Sequence, residues 1–177
     1  MCENKITMQR PEAEEYNPYF NTYISLVPEG DFTELLKTNS REIADFFRAI
    51  PPDKHNYRYA AGKWSVKDIL MHITDTERVM MYRALVAARG DSTSILCNMD
   101  EDLYAANVNV SARSLESILA EFISLREATE IFFENLDEES SKFRAKTETH
   151  PITARAVGYI LIGHPQHHIE VIKSRYL

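Results

Sequence analysis

KWSVKDILMHITDTERVMMYRALVAARGD, residues 63–91, is the stretch whose periodicity decides the fold. Val66, Ile69, Leu70, Ile73, Val79, Met80 and Leu85 recur at the three- and four-residue spacing of one helix face. Ser65 stands just before the pattern with Asp68 three residues on, so side chain and backbone can satisfy each other's free groups at a helix start. Gly90 marks the stop, because glycine takes the left-handed conformation that ends many helices. A helix of this length with an apolar stripe must bury that stripe against other elements.

Working outward, the same period recurs three more times. Phe32, Leu35, Leu36, Ile43, Phe46 and Phe47 predict a helix over 32–49, with Asp31 as cap, Glu34 at the capping-box spacing, and Pro51 and Pro52 as terminators. Leu115, Ile118, Leu119, Phe122, Leu125, Phe132, Phe133 and Leu136 predict a third helix, capped near Ser111 or Ser114. A last helix begins near Thr153 and runs to the C-terminus. Residues 90–111 form a long connection, and connections of that length inside compact domains are often functional. Only FRAKTETHPI, residues 143–152, shows an ambiguous alternation; no longer strand pattern exists. Residues 1–30 read as an arm on the body, its aromatics Tyr16, Tyr19, Phe20 and Tyr23 covering core, with at most a short helix near 18–26. The expectation is an all-α, four-helix bundle, one domain over 1–177, with the 90–111 segment as a possible crossover.

Composition narrows the function classes. With 44% apolar and 27% charged residues in 177, the chain can build an ordinary globular core. A net charge of −7 argues against a nucleic-acid partner and against an anionic membrane surface. Cys2 and Cys97 have no partners at metal-ligand spacing, which suits a reducing compartment. The opening MCENKITMQRPEAEEY has no apolar run after a basic start, so the expected location is cytoplasmic.

The chemistry lies in the histidines. His164 and His168 read H-x-x-x-H, and residues at i and i+4 share a helix face, so two imidazoles can meet one ion. His72 sits on the apolar row of the 63–91 helix, and bundle cores are where facing helices build metal sites. Three histidines from two helices would leave coordination open for water or substrate. His167 competes with His168 but points elsewhere and reads as a rim residue; His55 and His150 sit in loops with nothing tying them to a site. Asp75, one turn after His72, could orient an imidazole or hold an arginine. Arg83 returns to nearly the same face as His72 and could pair with Asp75 or receive an anionic group. Glu77 and Arg78 read as solvated charges in ordinary intrahelical pairs.

The 63–91 string and the tail GHPQHHIEVIKSRYL together resemble the second and closing helices of the DinB-like, YfiT-like metalloprotein superfamily. That resemblance implies a four-helix bundle, commonly a homodimer, whose metal ligands fall here on His72, His164 and His168. It also implies a divalent metal, zinc or nickel, and thiol-dependent activity like that of bacillithiol and mycothiol S-transferases and mycothiol-dependent maleylpyruvate isomerase. The leading expectation is transfer of a low-molecular-weight thiol to a small-molecule electrophile. The alternatives are a metal-dependent hydrolase of the same fold and a non-catalytic metal-binding stress-response module. Pro165 departs from the pattern: the last helix either kinks there or starts anew with Pro165 as its first residue.

Overall fold

The computed structural model describes residues 8–177. In chain order its helices and strands are α1 (Asn21–Ile24), α2 (Phe32–Ala49), α3 (Val66–Ala88), β1 (Ile95–Leu96), α4 (Glu101–Asn107), α5 (Leu115–Glu134), α6 (Glu138–Ser141), β2 (Arg144–Thr147), β3 (Pro151–Thr153) and α7 (Ala154–Arg175). The long helices α2, α3, α5 and α7 form a four-helix bundle. Each helix starts on the cap its sequence supplies. Asp31 accepts from the Glu34 amide, Ser114 from Ser117 and Thr153 from Ala156, while Ser65 and Asp68 form a reciprocal capping box. Gly90 takes φ 66° just past α3, as its position at the stop requires.

Both α3 and α2 pack against α5 and α7, so the consecutive helices α2 and α3 lie at opposite corners of the bundle. Two segments make that arrangement possible. Residues 89–114 cross over after α3, and residues 135–153 return from α5 to α7. Both carry structure that helical periodicity does not reveal. β1, from the crossover, pairs in parallel with β2, and β2 pairs antiparallel with β3, with Ala145 opposite Ile152. The ambiguous 143–152 stretch is therefore a hairpin that ends directly at the cap of α7. Its inward residues Ala145 and Ile152 are buried, whereas a two-residue β1 is too short to show any period. Pro151 sits on the edge strand, where a missing amide costs no ladder bond.

The arm lies on the body, as its aromatics predict. Tyr16 and Tyr23 are buried and Tyr19 is exposed. Glu15 anchors it, accepting from the Thr153 hydroxyl at 2.8 Å and from Arg155 Nε at 2.7 Å. Among the described residues no helix is long and apolar enough to cross a membrane. Cys2 lies outside the described residues.

The core is interrupted by a polar layer. One apolar cluster holds Leu36, Met80, Phe133 and Leu161; the other holds Ile43, Ile73, Phe122 and Ile169. Between them each long helix contributes buried polar residues: Asn39 from α2, Thr74 and Glu77 from α3, Arg126 and Thr129 from α5, and His164 from α7. This layer positions the site described next.

Candidate metal centre

His72 comes from the first half of α3, and His164 and His168 come from the middle of α7. These two helices pack against each other, and the three imidazoles converge through the same atom. His164 Nε2 lies 3.0 Å from His72 Nε2 and 3.0 Å from His168 Nε2. One ligand atom from each of the three lies within 4.8 Å of the others. Three imidazoles around a tetrahedral ion at ~2.05 Å stand about 3.3 Å apart, so the spacing fits a divalent ion.

The environment favours the protonation state that a metal needs. Burial pushes His72 down to about 4, against an ordinary value near 6.5. Burial and the neighbouring His72 and His167 push His168 down to about 3. His164 falls well below its usual range, first through burial, then through His168, His72, His167 and Arg126. Protons and metal compete for the same ring nitrogens, so a site that keeps its imidazoles neutral is prepared for a cation. Further support comes from Trp64, whose ring lies 4.7 Å from that of His72, and from Tyr23, 5.1 Å from His164.

Pro165 neither restarts nor ends the last helix; α7 is continuous from Ala154 to Arg175. Proline lacks the amide that would bond the carbonyl of Leu161. That carbonyl instead accepts from Arg126 Nη2 at 3.0 Å, and the next, Ile162, accepts from Asn39 Nδ2 at 3.3 Å. The polar layer thus replaces the lost helix bond from outside, and His164 and His168 keep one face. Arg126 is itself held by Glu77 at 2.6 Å, with both side chains 1% exposed, and Thr129 donates to the other Glu77 oxygen at 2.8 Å. Burial pushes the Glu77 carboxyl up, while Arg126 and Thr129 pull the other way. The reading of Glu77 as a solvated charge is corrected here. Its partner is on another helix, and nothing in the spacing of a single helix indicates that. Gly163 has a separate duty: a Cβ there would stand 2.0 Å from the Tyr23 carbonyl, so only glycine lets α1 approach α7 beside the site.

Of the other sequence candidates, Asp75 takes the second of its two expected roles and holds an arginine, with no hydrogen bond to His72. Its carboxylate pairs with Arg78 at 3.3 Å, and His72 Nδ1 is buried with no hydrogen-bond partner. The physical reason is local: Arg78, three residues on, reaches Asp75 along the outer side of α3. Arg78 bridges on to Glu121 of α5 at 2.6 Å, so its pairing is not purely intrahelical. Arg83 lies 6% exposed and does not pair with Asp75. His167 is half-buried beside Tyr23 and stands outside the convergent three. His55 is tied to the Ile50 carbonyl at 3.0 Å.

The three histidines open onto a cavity of about 440 Å³, within the size range of small-molecule sites. The arm supplies Tyr19, Phe20 and Tyr23 to its wall, α3 supplies Arg83, and the hairpin supplies Thr147 and His150. His150 therefore does reach the site region, where Asn17 Nδ2 lies 3.1 Å from its Nδ1. A loop histidine gives no periodic signal, so only the hairpin's fold brings it there.

The fold has solved relatives at low identity. YfiT from Bacillus subtilis, described as a probable metal-dependent hydrolase with an unusual four-helix bundle topology, aligns with a TM-score of 0.71 at 15% identity, over 94% of this chain and 91% of its own. The mycothiol-dependent maleylpyruvate isomerase aligns with a TM-score of 0.60 at 11% identity, over 83% of this chain and 61% of its own. No curated protein matches the chain by sequence. The DinB superfamily profile matches residues 35–172, a span that takes in the four long helices almost entirely and all three convergent histidines, and the chain belongs to that superfamily.

Proposed function

We propose that this protein is a metal-dependent enzyme that transfers a low-molecular-weight thiol to a small electrophile, with a divalent ion, zinc or nickel, on His72, His164 and His168. The carrying observation is the convergence of three Nε2 atoms, one from buried His164 and two from half-buried His72 and His168, at the wall of a cavity. Three protein ligands are the pattern of catalytic sites, which keep a position open, whereas structural sites close it with a fourth. On these three imidazoles a divalent ion would supply a lowered pKa to a thiol or water bound to it. The chain's own part is to keep the imidazoles neutral through burial, to fix His164 through the polar layer, and to wall the site with Tyr23 and Trp64 against bulk water.

Hydrolysis is the second reading, supported by the description of YfiT as a probable metal-dependent hydrolase. The two separate on one variable, since a transferase turns over only with added thiol and a hydrolase without it. The test begins with elemental analysis of protein purified without a histidine tag, followed by a thiol-conjugation screen. The single tryptophan, Trp64, lies against His72, so cobalt or nickel binding is also readable as quenching of its fluorescence. His72→Ala and His168→Ala should each abolish stoichiometric retention, while His167→Ala should retain it. A full equivalent of metal in either of the first two variants would remove the site.

A further inference from the structure

Arg83 carries a charge that no carboxylate contacts directly among the described residues. It is 6% exposed and lines the same cavity as the histidines. Its Nη2 donates to the Cys97 carbonyl at 2.8 Å and its Nη1 lies 3.6 Å from Met80 Sδ. Among the described residues it forms no ion pair with a carboxylate. Glu148 acts on it only through space, and that carboxylate is exposed and engaged by the Asn98 amide at 3.2 Å and Asn98 Nδ2 at 2.6 Å. A guanidinium has five donors, so two neutral contacts leave most of its fork unused. A buried charge without a partner is costly, and an arginine fork matches a carboxylate in two parallel bonds.

The spacing along α3 then gives the ligand a length. Arg83 follows His72 by about 16 Å of helix axis, and its head leans back one turn to Met80, leaving about 10 to 12 Å between guanidinium and imidazoles. The wall between them includes Val79, Met80, Ile152 and Ile160, which offer apolar surface. We propose that Arg83 is the anion-binding residue of this cavity, and that the ligand is a bifunctional small molecule. It carries a carboxylate for Arg83, an apolar middle, and a metal-ligating end such as a thiol. This rests on the metal reading above and deepens it.

The test uses the full chain loaded with cobalt(II), titrated with ω-mercaptoalkanoic acids of increasing length and with the matching ω-mercaptoalkanols. Thiolate-to-cobalt absorption is the readout. After allowing ~2.3 Å for the metal–sulfur bond and ~2.8 Å for the charged hydrogen bond, about 5 to 7 Å remain between sulfur and carboxylate, so the acids should peak at an intermediate length of about three to four carbons. There the acid should bind about tenfold or more tightly than the alcohol. Arg83→Gln should abolish that preference, and Arg83→Lys should restore part of it. Acid and alcohol binding alike in the wild type, or a preference that survives Arg83→Gln, overturns the proposal while leaving the metal site intact. If even 2-mercaptoethanol gives no thiolate-to-cobalt absorption, the metal reading is the one that failed. Calorimetry with hexanoate against 1-hexanol, which needs no metal, then decides Arg83 by the same comparison of wild type and Arg83→Gln.

Discussion

At the scale of single residues, the polar layer is where small changes matter most. Arg126 is buried, bonded to Glu77, Asn39 and the Leu161 carbonyl, and adjacent to His164. Removing one member of a buried ion pair leaves the other charge uncompensated, at a cost of about 3–5 kcal/mol. Arg126→Met should therefore lower unfolding free energy by that order in urea titration. Adding Glu77→Met should recover a large part, because the pair is replaced by apolar groups of similar bulk. A double variant no more stable than Arg126→Met would show that the Glu77 charge is not what the single variant leaves exposed. Gly163 shows the same sensitivity in backbone form, since the arm's carbonyl occupies the space of its missing Cβ.

At the scale of elements, two couplings hold α7 in place. The first is between Pro165 and Arg126. Pro165→Ala returns an amide that can bond the Leu161 carbonyl within α7, so that carbonyl no longer depends on Arg126. Arg126→Met should cost less in the Pro165→Ala background than in the wild type, with a coupling of about 0.5–3 kcal/mol in a double-mutant cycle. Strict additivity would sink the idea that Arg126 stands in for the missing helix bond. Metal retention should survive Pro165→Ala, because α7 is already continuous through residue 165. The second coupling joins the arm to the start of α7 through Glu15. Burial raises this carboxyl, but hydrogen bonds from Arg155, Thr153 and the Glu12 amide outweigh it and hold it below the ordinary value. A carboxyl depressed in the folded state stabilises above its unfolded value, near ~4.3, and loses that contribution as pH falls through the folded one. Melting temperature should thus drop on acidification below about pH 4. Glu15→Gln should start lower at pH 7 and show a shallower acid dependence; an unchanged slope would exclude Glu15 as the titrating lock.

For the whole molecule, family resemblance implies a homodimer. The aromatic arm offers little surface for it, because Tyr16 and Tyr23 are spent on the chain's own core and leave Tyr19. Tyr82 and Leu85 stay exposed one turn apart on α3 and offer a surface that no described element covers. We propose association through that face. Light scattering should give twice the chain mass of 20.4 kDa, and Tyr82→Glu with Leu85→Glu should halve it. A monomer mass for the wild type across micromolar concentrations would refute the dimer.

The sequence by itself determined the elements and the ligand pair. Helical period and caps at Asp31, Ser65, Ser114 and Thr153 are local properties, carried by neighbours within four residues, so the long helices and the shared face of His164 and His168 were legible. His72 was legible as a candidate through its place on an apolar face. What required the tertiary structure were facts about non-neighbours. The bundle order puts α2 and α3 at opposite corners. A two-residue β1 finds its partner only across fifty residues of chain. Glu77 looks like a surface charge until α5 brings Arg126 to it, Asp75 looks like an imidazole partner until Arg78 claims it, and His150 enters the cavity only because a hairpin folds there. Burial and cross-helix hydrogen bonds depend on which elements pack together, and one-dimensional periodicity records which face is apolar without saying what that face meets.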